Sequence, residues 1–338
     1  MKTFTKPSLK LFISLDAIGS TEFKNADINR QDNHFYWNKF FITFEKIITN
    51  LLYELYSNDN YSSIPNYPYF WKSLGDELIY VIDLKKYNNL HLHIEIFIEI
   101  IRKFNEQVKQ KGYGLCIKGS AWTAGFPISN TIIADEDFPP DKTTINKIEN
   151  FDFIGPSIDL GFRISKFSNI DRFIVNIDIA LILSLTCSET LFYDGKQDLR
   201  GVGHYPIFWL QAQAKPSLES RLHKSIELTP DDIIEYCNQY LFSSTYKFIP
   251  PIIVDDKINI EGKQNEQFKQ TVTNLNKKIE EFAGECEERI KKINEYVDAE
   301  MNISTEKDVP DEPKSSNTQQ REQSLSALLD RLTRYKHQ

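Results

Sequence analysis

Apolar positions divide the N-terminal part of the chain into alternating strand-like and helix-like stretches. Residues 8 to 18 alternate and cluster apolar side chains, as in a buried strand, and Gly19-Ser20-Thr21 follows with a turn and a capping hydroxyl for a helix. Tyr36, Phe40, Phe44, Ile47 and Leu51 then recur at three- and four-residue spacing, which predicts a long amphipathic helix packed on a sheet. Residues 67 to 74 and 77 to 83 read as two short strands joined by a tight turn at Gly75-Asp76, since glycine tolerates the positive φ such turns require. Helical periodicity returns over residues 90 to 108 and an extended pattern over 114 to 125. The order strand, helix, hairpin, helix, strand predicts an α+β fold with helices over an antiparallel or mixed sheet.

Downstream, residues 134 to 150 are polar and Pro-containing and predict a loop. Residues 153 to 167 carry Pro156, suited to a first helical turn, ahead of a helical pattern, and 173 to 177 read as a strand. Asp198 to Gly203 predicts a turn before a strand over 205 to 210. Beyond Pro250-Pro251 the composition changes. Phe268, Val272, Leu275, Ile279 and Phe282 open a stripe at spacings of three and four that fits a helical hairpin, a coiled coil or a helix docked on the main domain. The expected domains are therefore 1–250, a helical extension over 251–301, a polar disordered linker over 302–320, and an amphipathic C-terminal helix over 321–338.

Composition narrows the function classes. At 338 residues with 41% apolar content the chain can bury a substantial core. Its 48 acidic and 40 basic residues give a net charge of -8, which argues against direct nucleic-acid binding and leaves a negatively charged substrate to be held by local donors and metal. Four scattered cysteines show no metal-ligand spacing. The start lacks the apolar core of a signal peptide, and the apolar run 176 to 185 is too short to span a bilayer, so a cytoplasmic protein without membrane binding is expected.

Three segments can carry chemistry. Asp16 ends the first strand, and the backbone N–H groups of the following turn lead into a helix start, an arrangement that attracts phosphate; Asp16 as a simple turn cap is the alternative. Asp76 lies at the hairpin tip, where Gly-Asp is also an ordinary turn dipeptide. Brought together, the two carboxylates are hard oxygen ligands suited to Mg²⁺ or Mn²⁺. Asp159 and Arg163, four apart on a predicted helix, either form a surface ion pair or serve to hold a ribose and to neutralise charge developing on phosphorus.

These segments, strand-Asp-x-x-Gly-Ser-Thr, Lys-x-x-Gly-Asp and Asp-x-x-Gly-x-x-x-Asp-x-x-x-Arg, resemble in order and spacing the catalytic segments of class III nucleotide cyclases over roughly residues 8 to 215. Ser120 to Pro127 and Phe153 to Arg163 look most like the pyrimidine cyclases of bacterial antiphage (Pycsar) systems. The resemblance implies a ferredoxin-like βαββαβ core and two divalent metal ions, Mn²⁺ or Mg²⁺, held by Asp16, Asp76 and the carbonyl of Ala17. It implies a triphosphate wrapped by Ile18, Gly19, Ser20, Thr21, Glu22 and Phe23, and a transition-state arginine at Arg163. Asp159 stands where most members have Asn, keeping an acceptor for the ribose and losing a donor. Arg200-Gly-Val-Gly203 replaces the usual Lys-Gly-Lys-Gly phosphate motif, with only Arg200 charged. Lys72 and Asp152 occupy the adenine-reading positions of adenylate cyclases, whereas a bulky aromatic from the first long helix, Tyr53 or Tyr56, would narrow the pocket for a pyrimidine. The resemblance further implies a homodimer with composite active sites. It implies conversion of UTP or CTP to 3′,5′-cyclic UMP or cyclic CMP plus pyrophosphate, and a separate effector that responds to the product. An adenylate cyclase and a degenerate nucleotide-binding or scaffold domain are the alternatives.

Overall fold

The computed structural model describes residues 7–28, 36–61, 64–110, 115–127, 129–134, 151–187, 189–215, 217–218, 226–243, 253, 255–258 and 266–305. The expected loop at 134–150 apart from Ala134, which ends a strand, most of the linker and the C-terminal helix at 321–338 lie outside these residues. The chain forms two units, Met1–Lys292 and Ile293–Gln338. In the second, the described residues are a helical stretch, 293–305.

The first unit is an α+β fold. Strand β1 (Ser8–Ile18) leads into helices α1 (Ser20–Ile28) and α2 (Tyr36–Tyr56), then the hairpin β2 (Tyr69–Leu74) and β3 (Glu77–Leu84), helix α3 (Leu90–Gln110) and strand β4 (Cys116–Phe126). These strands lie in the order β4-β1-β3-β2, with β1 antiparallel to both neighbours, which is the ferredoxin-like βαββαβ arrangement. Next come the ribbon β5 (Thr131–Ala134) and β6 (Phe151–Ile154), helix α4 (Pro156–Ser165), strand β7 (Arg172–Val175) and helix α5 (Ile177–Thr186). Strands β8 (Leu191–Leu199), β9 (Gly203–Gln211) and β10 (Ile226–Leu228) follow, then helices α6 (Pro230–Ser243) and α7 (Glu266–Thr305). Strand β7 joins β4 in parallel and extends the main sheet to eight strands, in the order β10-β8-β9-β7-β4-β1-β3-β2.

Among the boundaries that differ from the sequence pattern, three have a local cause. The stretch expected to be helical from 153 begins as β6; Gly155, at φ 145°, turns the chain so that the helix starts at Pro156. The strand expected over 173–177 stops at Val175 because the Asn176 side chain accepts the Ile179 N–H and caps α5. The turn expected over 198–203 is tighter, since Asp198 and Leu199 still pair with His204 and Gly203.

Strand alternation sorts the side chains of the β4-β1-β3 portion between two faces. Leu11, Ile13 and Leu15 of β1, with Leu78, Tyr80 and Ile82 of β3, are buried toward α2 and α3, where Tyr80 meets Phe97 and Phe44 meets Phe104. The opposite face carries an aromatic cluster. Phe12 stacks on Trp122, its register partner, and both are joined by Trp71, Phe126, Phe153 and Phe162. Each such ring contributes about 2–3 kcal/mol by burial, and together they clamp β6 and α4 onto the sheet. The polar end of this same face holds the candidate site.

After α6 the chain is anchored to the body. The Tyr87 N–H donates to Asp256, the Ile253 N–H donates to the Tyr87 hydroxyl, and Val272 of α7 is fully buried in the core.

A polar cluster lies where α5 meets the sheet. Thr123 Oγ1 of β4 donates to Asp178, Asn176 Nδ2 lies 3.4 Å from the same oxygen, and Tyr205 of β9 and Cys237 of α6 are its titratable neighbours. Burial pushes the Asp178 carboxyl up to about 7 from an ordinary 3.8. The folded state then holds a proton that the unfolded state has lost, so stability falls as pH rises from about 4 to about 7. The substitution Asp178→Asn keeps the acceptor for Thr123 and removes the charge. The expected result is a variant more stable than the parent at pH 8, with the fall in melting midpoint between pH 4 and 7 reduced.

Candidate active site

Register across β1, β3 and β4 assembles the first charged group. Asp16 lies opposite Glu77 on β3 and Lys118 on β4, so all three side chains leave the same face in one row. Lys118 Nζ is 3.2 Å from Asp16 Oδ2, and Ser14, one pleat back, donates its hydroxyl to Glu77 at 2.5 Å. The β2–β3 turn brings Asp76 alongside. Gly75, at φ 72°, makes the turn, and the Asp76 carbonyl accepts the Ala17 N–H at 3.3 Å.

Electrostatics show what this row lacks. Burial raises the Asp16 carboxyl above the usual carboxylate range, Lys118 pulls it back, and the nearby Asp76 charge pushes it up again. Glu77 is raised chiefly by burial, with Ser14 opposing, and the Asp16 and Asp76 charges add to the rise. Carboxylates crowded in this way are relieved by a cation, and Lys118 already serves as one at Asp16. Among the described residues no group of three or more His, Cys, Asp or Glu is arranged to enclose a metal ion. The donor set of Asp16, Asp76 and a backbone carbonyl instead fits divalent ions that take their remaining ligands from a substrate's oxygens.

Helix α1 begins beside this row. Gly19, at φ 82°, redirects the chain out of β1, its carbonyl accepts the Phe23 N–H at 2.9 Å, and Ser20 opens the helix nearly buried. Ile18 and Gly19 are half-buried and Thr21 and Glu22 exposed, so the first turn presents its free N–H groups at the end of the strand that bears Asp16.

A second group lies on the ribbon and α4. Lys72 of β2 pairs with Asp152 of β6 at 2.8 Å and lies 4.0 Å over the Trp71 ring, so two residues eighty positions apart are held together. Helix α4 rests on Trp122 through Gly161, where an added Cβ would fall 2.1 Å from the indole ring. Asp159 is exposed and Arg163 half-buried on α4, yet among the described residues the two form no ion pair despite their spacing. Neither is bonded to Asp16 or Asp76.

Two expected residues lie elsewhere. Arg200 is exposed in the β8–β9 turn. The registers place Gln211, at the other end of β9, in the row of Arg172 and Lys118, so the turn lies roughly 25 Å along the strands from Asp16. Tyr56 is a core residue whose hydroxyl is 2.7 Å from His93 Nδ1, whereas Tyr53 is 38% exposed on α2 and remains accessible. Lys118 and Glu77 are the charged members of the site that the sequence did not single out. The available signal was a lone lysine within an otherwise apolar strand, but its partner could be named only from the register.

No protein-family model matches the chain, and no curated protein matches it. Solved structures similar to it include the guanylate cyclase domain of RhGC from Catenaria anguillulae in complex with GTP, 12% identical with a TM-score of 0.41, covering 62% of this chain and 100% of that one. The adenylyl cyclase CyaB from P. aeruginosa is 12% identical with a TM-score of 0.46, covering 64% of this chain and 100% of that one. Adenylate cyclases from Trypanosoma brucei in their monomeric state are 14% identical with a TM-score of 0.40, covering 66% of this chain and 95% of that one.

Proposed function

We propose that this chain is a nucleotide cyclase that converts UTP or CTP to the 3′,5′-cyclic monophosphate and pyrophosphate, at sites shared between two copies of the chain. The observation that carries this reading is the row of Asp16, Glu77 and Lys118, with Asp76 beside it, at the exposed start of α1. Asp16 and Asp76, with the Ala17 carbonyl, would hold divalent metal, and the first turn of α1 from Ile18 to Phe23 would receive the phosphates. Bound metal would make the 3′-hydroxyl a stronger nucleophile and draw charge from the triphosphate. Lys118, 3.2 Å from Asp16, would face the phosphates as a cation.

In the reaction the 3′-oxygen bonds to the α-phosphorus, the bond from that phosphorus to the bridging oxygen of pyrophosphate breaks, and the hydroxyl proton is lost to solvent. Arg163 neutralises charge on the equatorial oxygens and Asp159 accepts a hydrogen bond from the ribose. Within one chain neither is joined to the carboxylate row, and Arg200 lies at the other end of the sheet, which supports their delivery by a second copy. In this reading residues 1–250 are catalytic and 251–301 are an extension whose helix continues to Thr305, before a linker up to 320 and a terminal helix. The product serves as a messenger to a separate effector in antiphage defence. Among the described residues no helix is long and apolar enough to cross a membrane.

A second reading, adenylate cyclase, is favoured by one observation. Lys72 and Asp152, the pair suited to the adenine edge, are in contact at 2.8 Å. The test is incubation of the purified chain and Mn²⁺ with each of the four nucleoside triphosphates, with products identified by mass spectrometry. Cyclic UMP or cyclic CMP is expected. Cyclic AMP alone transfers the assignment to the second reading, and no cyclic product from any substrate overturns both.

A further inference from the structure

Helix α4, which carries Asp159 and Arg163, begins without a side-chain cap of its own. Gly155 at its N-cap position has no side chain to offer and Pro156 in the first turn has no N–H, so the first donor left over is the Ser157 N–H. Asn130, in the short link between β4 and β5, meets that donor from outside the helix. Its Oδ1 accepts the Ser157 N–H at 3.1 Å, while its Nδ2 donates to the Gly125 carbonyl at 2.9 Å and to Ser157 Oγ at 3.2 Å. Asn130 is 2% exposed, so none of these bonds is replaced by water when the side chain is lost.

Gly155 is fitted to the same side chain. An added Cβ there would fall 2.4 Å from Asn130 Oδ1 and 2.8 Å from Asn130 Cα, so glycine, at φ 145°, lets the two segments pass this closely. The Gly155 carbonyl in turn accepts the N–H groups of Ile158 and Asp159 at 3.1 and 3.0 Å. Asn130 is thereby linked to the turn that bears Asp159.

Two attachments to β4 hold α4. Gly161 lies on Trp122 near the middle of the helix, and Asn130 ties the first turn to Gly125 at the end of the strand. Either contact alone would leave the helix able to pivot about it. We infer that Asn130 is a positioning residue of the proposed site, fixing the direction of α4 and so the aim of Asp159 and Arg163 at the carboxylate row of a second copy. This role rests on the shared-site reading. It carries an asymmetry: Asn130 matters in the copy that presents α4, and not in the copy that presents Asp16.

The experiment compares mixed dimers isolated through two different affinity tags and assayed with Mn²⁺ and the nucleotide that the parent cyclises. The reference pairs Asp16→Asn with the parent, which leaves one working site. In the first test dimer Asp16→Asn is paired with Asn130→Ala; the working site takes α4 from the copy that keeps Asn130, and the reference rate is expected. In the second, one copy carries both substitutions and is paired with the parent, so the working site takes α4 from the copy that lacks Asn130. Here kcat should fall roughly ten-fold or more, with KM within about three-fold of the reference because the α1 turn and the carboxylates come from the parental copy. Asn130→Asp keeps an acceptor for Ser157 and should show a smaller deficit, again in the second dimer alone. A chain destabilised as a whole would lose activity in both dimers. Equal deficits in the two, no deficit in either, or chains that fold with neither substitution overturn the inference. A deficit in the first dimer alone means that each site lies within one chain, which overturns the shared site and the aim of α4 at a second copy. A parent that forms no cyclic nucleotide overturns the cyclase reading, and this role with it.

Discussion

Asp16→Asn abolishes cyclic nucleotide formation, with an expected loss of roughly 10³-fold or more, equivalent to about 4 kcal/mol of transition-state stabilisation. The amide has the shape of the carboxylate but neither its charge nor its affinity for a hard divalent ion. The electrostatics of the site argue that little stability is lost with the charge. Burial and the Asp76 charge hold the Asp16 carboxyl above its ordinary range, so the ionised form is disfavoured by the fold, and a neutral isostere does not weaken it through that route. The measurement is product formed at saturating nucleotide and Mn²⁺, alongside the melting midpoint of the same sample. A variant that melts with the parent and keeps more than a tenth of its activity contradicts the role given to Asp16.

Gly161→Ala has the largest expected effect on stability. The added methyl would lie 2.1 Å from Trp122 Cδ2 and Cε2, and the indole has nowhere to retreat, because it stacks on Phe12 at 5.6 Å and packs against Phe162 at 5.5 Å. Helix α4 must lift or the aromatic cluster must open, at a cost of about 3 kcal/mol or more. Since α4 carries Asp159 and Arg163, activity should fall further than the folded fraction does. Gly125→Ala is the control. That glycine lies on the same strand as Trp122, with no heavy atom within 4 Å of an added Cβ, and its substitution should be nearly neutral. Denaturant midpoints for the two variants decide the matter, and equal midpoints would show that the cluster yields easily.

The elements legible in the sequence are those whose periodicity is local. Strand β1, the amphipathic α2 and α3, and the hairpin at Gly75-Asp76 each advertise one buried face, and their order suffices to place Asp16 and Asp76 at one end of one sheet. Helix α5 was not legible in this way. Its run from Ile177 to Leu185 is buried almost all round, so it has no polar face to give a helical period, and only its length distinguished it from a membrane span. Lys118 and Glu77 were missed for another reason. Each is an ordinary charged residue until the antiparallel register sets both beside Asp16, and register is fixed by side-chain packing far from any of them in sequence. The same applies to Arg200, whose motif is local but whose position at the far end of the sheet is a property of topology.

Mixing two inactive variants tests whether one site is built from two chains. Asp16→Asn removes the proposed metal ligand and Arg163→Ala the charge proposed to face the transition state, and each alone should be inactive as a homodimer. In a mixed dimer one site receives Asp16 from one chain and Arg163 from the other, while the second site carries both defects. Random pairing should restore about a quarter of the parental activity, because half the dimers are mixed and each has one intact site. Recovery near that level supports the composite site. Verified mixed dimers that form no cyclic nucleotide, or activity that follows the monomer, contradict it.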